Sequence, residues 1–141
     1  MEKHIDLMTT AAAFQKIKQF VSSAQISILA DLCSNSEERH EFRSIVLSLA
    51  ERIETMPATY ETEGSADPIA FLHYFRGNAD FYITEKDCDD DGEGQIQAFG
   101  LADIGYGAEL GYISIQELIE NRVEIDLYFE PKRLSSIRKG D

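Results

Sequence analysis

The stretch Ile69-Ala70-Phe71-Leu72-His73-Tyr74-Phe75-Arg76-Gly77-Asn78-Ala79-Asp80-Phe81-Tyr82-Ile83-Thr84 decides the fold. Residues 69–75 are apolar or aromatic on both alternating faces, the composition of a strand covered on two sides. Gly77-Asn78 then separates this run from a second one, residues 80–84. A glycine first in a two-residue loop suits a type II′ turn, whose backbone twist matches that of the flanking strands. The chain therefore makes a β-hairpin here, and the rest of the architecture is built around it.

Downstream, residues 87–94 form a charged loop, 95–104 a third strand and 110–114 a fourth. Ile115, Leu118 and Ile119 have helical spacing. Residues 123–129 alternate strictly and are expected as a last strand, stopped by Pro131. Lys132, Arg133, Arg138 and Lys139 give a basic terminal turn or helix. Upstream the period is helical. Thr9 or Thr10 can cap a segment carrying Phe14, Ile17, Phe20, Val21 and Ala24, and a second short helix carries Ile28, Leu29 and Leu32. Ser34-Asn35-Ser36-Glu37 has the form of a capping box. It precedes Phe42, Ile45, Val46, Leu49, Ile53 and Met56, which make one apolar stripe, and Pro57 ends that helix. The expected fold is α+β, with two or three N-terminal helices packed on an antiparallel sheet of four or five strands. Residues 1–141 are expected to form one domain, with a helical part (1–57), a β-rich part (69–131) and a basic end (132–141).

The chain has 141 residues and a formal net charge of −13. Residues 61–130 carry 17 acids against three bases, Arg76, Lys86 and Arg122, a local net of −14. Such a field repels nucleic acid and attracts basic surfaces, so direct binding of DNA or RNA is not expected. No apolar run approaches a membrane span, and Met1-Glu2-Lys3-His4-Ile5-Asp6 lacks a signal-peptide core, so a cytoplasmic protein is expected. Cys33 and Cys88 match no zinc or redox spacing and are expected as one buried and one loop thiol.

Candidate chemistry is sparse. Asp87-Cys88-Asp89-Asp90-Asp91-Gly92 repeats the first half of a calcium loop, in which alternate carboxylates converge on a hard cation. The position of its bidentate glutamate is taken by Ala98, so no metal is assigned. The glycines at 100, 105, 107 and 111 have the wrong spacing for a dinucleotide or phosphate loop. They fit turns between strands and close packing of rings on bare backbone. His73 reads as a hydrogen-bonded core histidine. As an alternative, His73, Asp80, Asp103 and Glu109 could form a metal-dependent hydrolase site, provided that they converge.

Several runs carry a family resemblance: Met56-Pro57-Ala58-Thr59-Tyr60, His73-Tyr74-Phe75, Tyr82-Ile83-Thr84-Glu85, Phe99-Gly100, Glu109-Leu110-Gly111-Tyr112-Ile113-Ser114 and Asp126-Leu127-Tyr128-Phe129 before Pro131. Together they resemble an uncharacterised domain family found in plasmids, phages and integrated mobile elements. The resemblance brings no catalytic residues or cofactor. It implies an accessory role in the biology of mobile DNA, and with the charge it gives the leading expectation: a non-catalytic inhibitor of host nucleic-acid-targeting defence, of anti-restriction or anti-CRISPR type. Its partner would be a basic protein surface, such as a defence nuclease or nucleic-acid-guided complex, engaged by Glu85, Asp87, Asp89, Asp90, Asp91 and Glu93, with Asp103 and Glu109 second. At about one charge per 1.7 Å of duplex, a local −14 on one face would imitate roughly 24 Å of DNA. The other alternative is a structural module that dimerises through the helical stripe or the open edge of the sheet.

Overall fold

The computed structural model describes residues 4–62, 65–88 and 94–138. Three helices come first: α1 (Leu7–Ile17), α2 (Ser23–Asn35) and α3 (Arg39–Thr55). They are followed by β1 (Ile69–Ala70), β2 (Leu72–Arg76), β3 (Ala79–Glu85), β4 (Ala98–Asp103) and β5 (Ala108–Ile113), then α4 (Ile115–Glu120), β6 (Glu124–Ile125), β7 (Lys132–Arg133) and α5 (Leu134–Arg138). The main sheet is antiparallel with the order β5-β4-β3-β2-β6, and β1 and β7 form a separate two-stranded ribbon. The expected α+β arrangement is present, with three helices and five strands in the main sheet.

The helix ends follow local chemistry. α1 is capped by Asp6, whose carboxylate accepts the Thr9 amide at 2.7 Å, not by Thr9 or Thr10. It stops at Ile17, so Phe20 and Val21 lie in the connector and Ala24 belongs to α2. The capping box at Ser34 does not form either. Ser34 lies inside α2, and the turn before α3 is built instead by Ser36, whose hydroxyl accepts the Glu38 amide at 3.0 Å. α3 ends one residue before Met56, as Pro57 requires.

One face of the sheet packs on the helices. Val46, Leu49 and Ile53 of α3, Ile17 and Leu29 meet Leu72, Tyr74, Ile83, Ala98, Ile113 and Ile125 in a common core. Tyr74 is fully buried and its hydroxyl donates to the Phe20 carbonyl. Arg43 is also buried, with Nε donating to the Cys33 carbonyl at 2.8 Å and an Nη to that of Ile5 at 2.7 Å, which ties α2 and the N-terminal segment to α3. Cys33 is buried and Cys88 exposed, both as free thiols.

The expected first strand is interrupted at Phe71, whose amide donates to the Ile83 carbonyl between β1 and β2. The Gly77-Asn78 turn joins β2 and β3 in the expected register, with Gly77 at φ +57°. The last strand is much shorter than the alternation predicts. After Ile125, the Asp126 carboxylate accepts the Tyr128 amide at 3.0 Å and folds the chain into a turn. Ile125 finds its outer partner in a side chain: its amide donates to Gln25 Oε1 at 3.0 Å, and Gln25 Nε2 donates to its carbonyl at 2.9 Å. Gln25 thus completes the β6 edge as a further strand would.

On the outer face of the sheet, Phe129 and Leu134 of the C-terminal segment cover Leu101 and Ala70 in a smaller second core. Two parts of that face stay open on either side of this cover.

Candidate functional site

The first open part is a cleft of about 740 Å³ between residues 59–62 and 65–68, β4, β5 and α5. A β-bulge makes its floor. Asp80 and Tyr82 face outward while Phe81 and Ile83 face the helices, so unbroken alternation would turn Glu85 toward the helices as well. Instead the register shifts between Ile83, paired with Gly100, and Glu85, paired with Phe99. The extra residue rotates Glu85 onto the outer face. Only Gly fits at position 100, because a Cβ there would lie 1.9 Å from the Tyr82 carbonyl oxygen.

Glu85 is 5% exposed. Its Oε2 accepts the Thr62 amide at 2.7 Å and the Thr62 hydroxyl, and its Oε1 accepts the Tyr60 amide at 3.3 Å. The carboxylate therefore organises the 58–62 turn, with Tyr60 in the left-handed region at φ +77°. Lys86 holds the same turn from the other side. Its carbonyl accepts the Thr59 amide at 2.7 Å, and its Nζ donates to the Ile53 carbonyl at the end of α3 at 2.8 Å. The Tyr60 hydroxyl meets that of Tyr112 on β5 at 3.1 Å, and Tyr112 packs edge-on against Phe99 with centroids 5.5 Å apart. Thr59, Tyr60, Thr84, Glu85, Phe99, Leu110 and Tyr112, drawn from four of the runs that carry the family resemblance, all line this cleft.

The second open part is a row of carboxylates at the hairpin end. The register places Glu124 opposite Phe75, Phe75 opposite Asp80 and Asp80 opposite Asp103, all on the outer face of four consecutive strands. Asp126 lies one step behind. His73 sits between two of these acids, with Nε2 2.8 Å from Asp80 Oδ1 and Nδ1 3.2 Å from Asp126 Oδ2. Its ring stacks on Tyr82 at 4.5 Å and 6°. Burial raises the Tyr82 phenol above its ordinary pKa, and the charges of Asp80, Asp103 and Asp126 push it in the same direction. The row gathers negative charge against a partly dry aromatic floor, where it is screened less than on an open surface.

The residues expected to bind a partner divide among several places. Glu85 does not present a free charge, since the bulge and the 58–62 turn use it. Asp87 is only 8% exposed and braces the chain just before β4, its Oδ2 accepting the amides of Ile96 at 3.1 Å and Gln97 at 2.9 Å. Asp89, Asp90, Asp91 and Glu93 lie outside the described residues. Asp103 is in the carboxylate row, where it also accepts the Gly105 amide at 2.9 Å. Glu109, paired with Ala102, points to the opposite face. The same fact breaks up the proposed hydrolase set: His73 and Asp80 touch and Asp103 is next to Asp80, but Glu109 is on the other side of the sheet. Among the described residues no three His, Cys, Asp or Glu side chains are placed to hold a metal ion. No helix among them is long and apolar enough to cross a membrane.

Glu124, Asp126, Tyr60 and Tyr112 were missed as site residues. The first two had a signal, since the alternation of residues 123–129 already turns them away from Val123 and Ile125. The tyrosines had one only in the resemblance, whose runs contain both; that they meet depends on the bulge.

A family model described as Protein of unknown function (DUF2958) matches residues 45–138, which include the whole cleft and the carboxylate row. No curated protein and no solved structure matches the chain.

Proposed function

We propose, for a chain that belongs to the DUF2958 family of proteins of unknown function, that it acts without catalysis as an interaction protein whose outer sheet face receives a basic surface of another protein. The observation that carries this reading is the carboxylate row Glu124, Asp80 and Asp103, with Asp126 behind it, on the face of the sheet that the N-terminal helices leave uncovered. At about 4.8 Å per strand the row spans roughly 14 Å. Four carboxylates correspond to only about 7 Å of duplex. The row therefore suits a short cluster of lysines and arginines better than it suits prolonged imitation of DNA.

In its finer form, the partner is a nucleic-acid-targeting defence protein of the host and this chain is the product of a mobile element. The local net charge of −14 and the family resemblance support that form. The test is capture from host extract with the native chain and with the triple variant D80N/D103N/E124Q, at about 0.1 M and about 1 M salt, where the Debye length falls from about 10 Å to about 3 Å. A partner held by the native chain at low salt, released at high salt and lost with the variant is the expected result. The captured protein should also lose nucleic-acid cleavage when the native chain is added. Retention by the variant, or binding indifferent to salt, removes the reading.

A further inference from the structure

The two edges of the main sheet are finished differently. At β6 the Gln25 amide occupies both the N–H and the C=O of Ile125. At β5 no described element lies on the far side, and Ala108, Glu109, Leu110 and Tyr112 are exposed. In an edge strand every second residue directs its N–H and C=O away from the sheet, which makes a template for another strand. Natural edges are usually blunted by lysine, proline or a bulge. β5 has none of these: it pairs with β4 over six consecutive residues without a shift, and its one charge is Glu109.

We propose that β5 is the docking edge for an extended, basic segment of a partner protein, which adds to the main sheet as a sixth strand. The proposal rests on the reading of the partner as basic and adds how it is held. A second copy of this chain is the less favourable occupant, because it would bring a molecule of the same net charge, −13, against this one.

The alternation of β5 specifies the segment. On the outer face, Leu110 and Tyr112 are 48% and 58% exposed beside the cleft and call for apolar side chains opposite them. Ala108 is small, so a long basic side chain opposite it can cross to Asp103, about two strand spacings away. On the helix side, Glu109 calls for a second basic residue, and a large side chain can lie over Gly111, where a Cβ would meet nothing within 4 Å. For an antiparallel partner this gives apolar-large-apolar-basic-basic, read against Tyr112 back to Ala108.

The probe is the capped peptide Thr-Val-Phe-Val-Arg-Arg-Thr, labelled for fluorescence anisotropy. Two further forms are N-methylated on alternate residues in the two possible phases. Strand addition expects the phase that methylates the inward edge to lose about tenfold or more in affinity, because hydrogen bonds are removed while every charge remains. The other phase should bind as the parent does. Glu109→Lys should weaken the parent peptide about two- to fivefold. Equal, salt-sensitive binding of all three peptides overturns strand addition and leaves the basic-partner reading standing. Failure of every peptide to bind at low salt counts against both. A concentration-dependent dimer in sedimentation, dispersed by Leu110→Pro, would assign the edge to a second copy and also overturn the proposal.

Discussion

Gly100 and Gly111 are direct partners across β4 and β5, and they should respond oppositely to the same substitution. An alanine Cβ at position 100 would lie 1.9 Å from the Tyr82 carbonyl oxygen and 3.0 Å from the Ile83 Cα, both backbone atoms. Relieving the first contact to about 3.3 Å, the near limit of ordinary C···O approach, means opening β3 from β4 by about 1.4 Å. That stretches neighbouring ladder bonds beyond useful length. Two backbone groups left unsatisfied in a buried sheet cost about 1–3 kcal/mol each. Gly100→Ala should therefore cost about 2–6 kcal/mol, a large part of the roughly 5–15 kcal/mol that holds a domain together. At Gly111 an added Cβ meets nothing within 4 Å. Gly111→Ala should be neutral, or stabilising by about 0.5–1 kcal/mol through lost backbone entropy in the unfolded chain. Urea unfolding followed by circular dichroism reads both, Gly100→Ala as a much earlier midpoint or no transition. Equal midpoints for the two variants, or a loss below about 1 kcal/mol at Gly100, would refute the argument that the bulge is bare because it must be.

Three other perturbations follow from polar side chains that are buried or part-buried. Burial pushes the Tyr74 phenol well above its ordinary value of 10.0. A raised folded pKa stabilises fully below pH 10 and is lost as pH rises beyond it, so stability should fall by about 1.4 kcal/mol per pH unit above pH 10, and Tyr74→Phe should flatten that slope in urea titrations. An unchanged slope would contradict it. Arg43→Leu strands the carbonyls of Cys33 and Ile5 and should cost about 2–4 kcal/mol by thermal melting; a neutral result would mean that water replaces the guanidinium. Gln25→Leu strips the β6 edge and should cost about 1–2 kcal/mol while speeding amide exchange at Ile125; unchanged exchange would mean that the edge does not depend on this side chain.

What the sequence made legible was set by period and punctuation. The Gly77-Asn78 hairpin, the stripe on α3 and the stop at Pro57 are local signals, and the fold class follows from them. The misplaced features depend on competition between local signals. Ser34 had a capping pattern, but α2 continued through it because Leu29 and Cys33 had core to fill. Residues 123–129 alternated as a strand should, yet Asp126 could satisfy the Tyr128 amide alone and turned the chain. The cleft was not legible. It depends on one extra residue in β3, which nothing in Tyr82-Ile83-Thr84-Glu85 announces, and on a glycine whose need is apparent only beside the Tyr82 carbonyl. The acidic loop drew attention by composition, but the first of its carboxylates is an internal brace.

The Gln25 amide has a consequence for assembly. A sheet with two bare margins can add neighbour after neighbour and grow into a fibre. With one margin sealed by its own side chain, the main sheet offers a single berth among the described residues. Strand-wise association should halt at one guest per host, and loss of Gln25 would convert a terminator into a link.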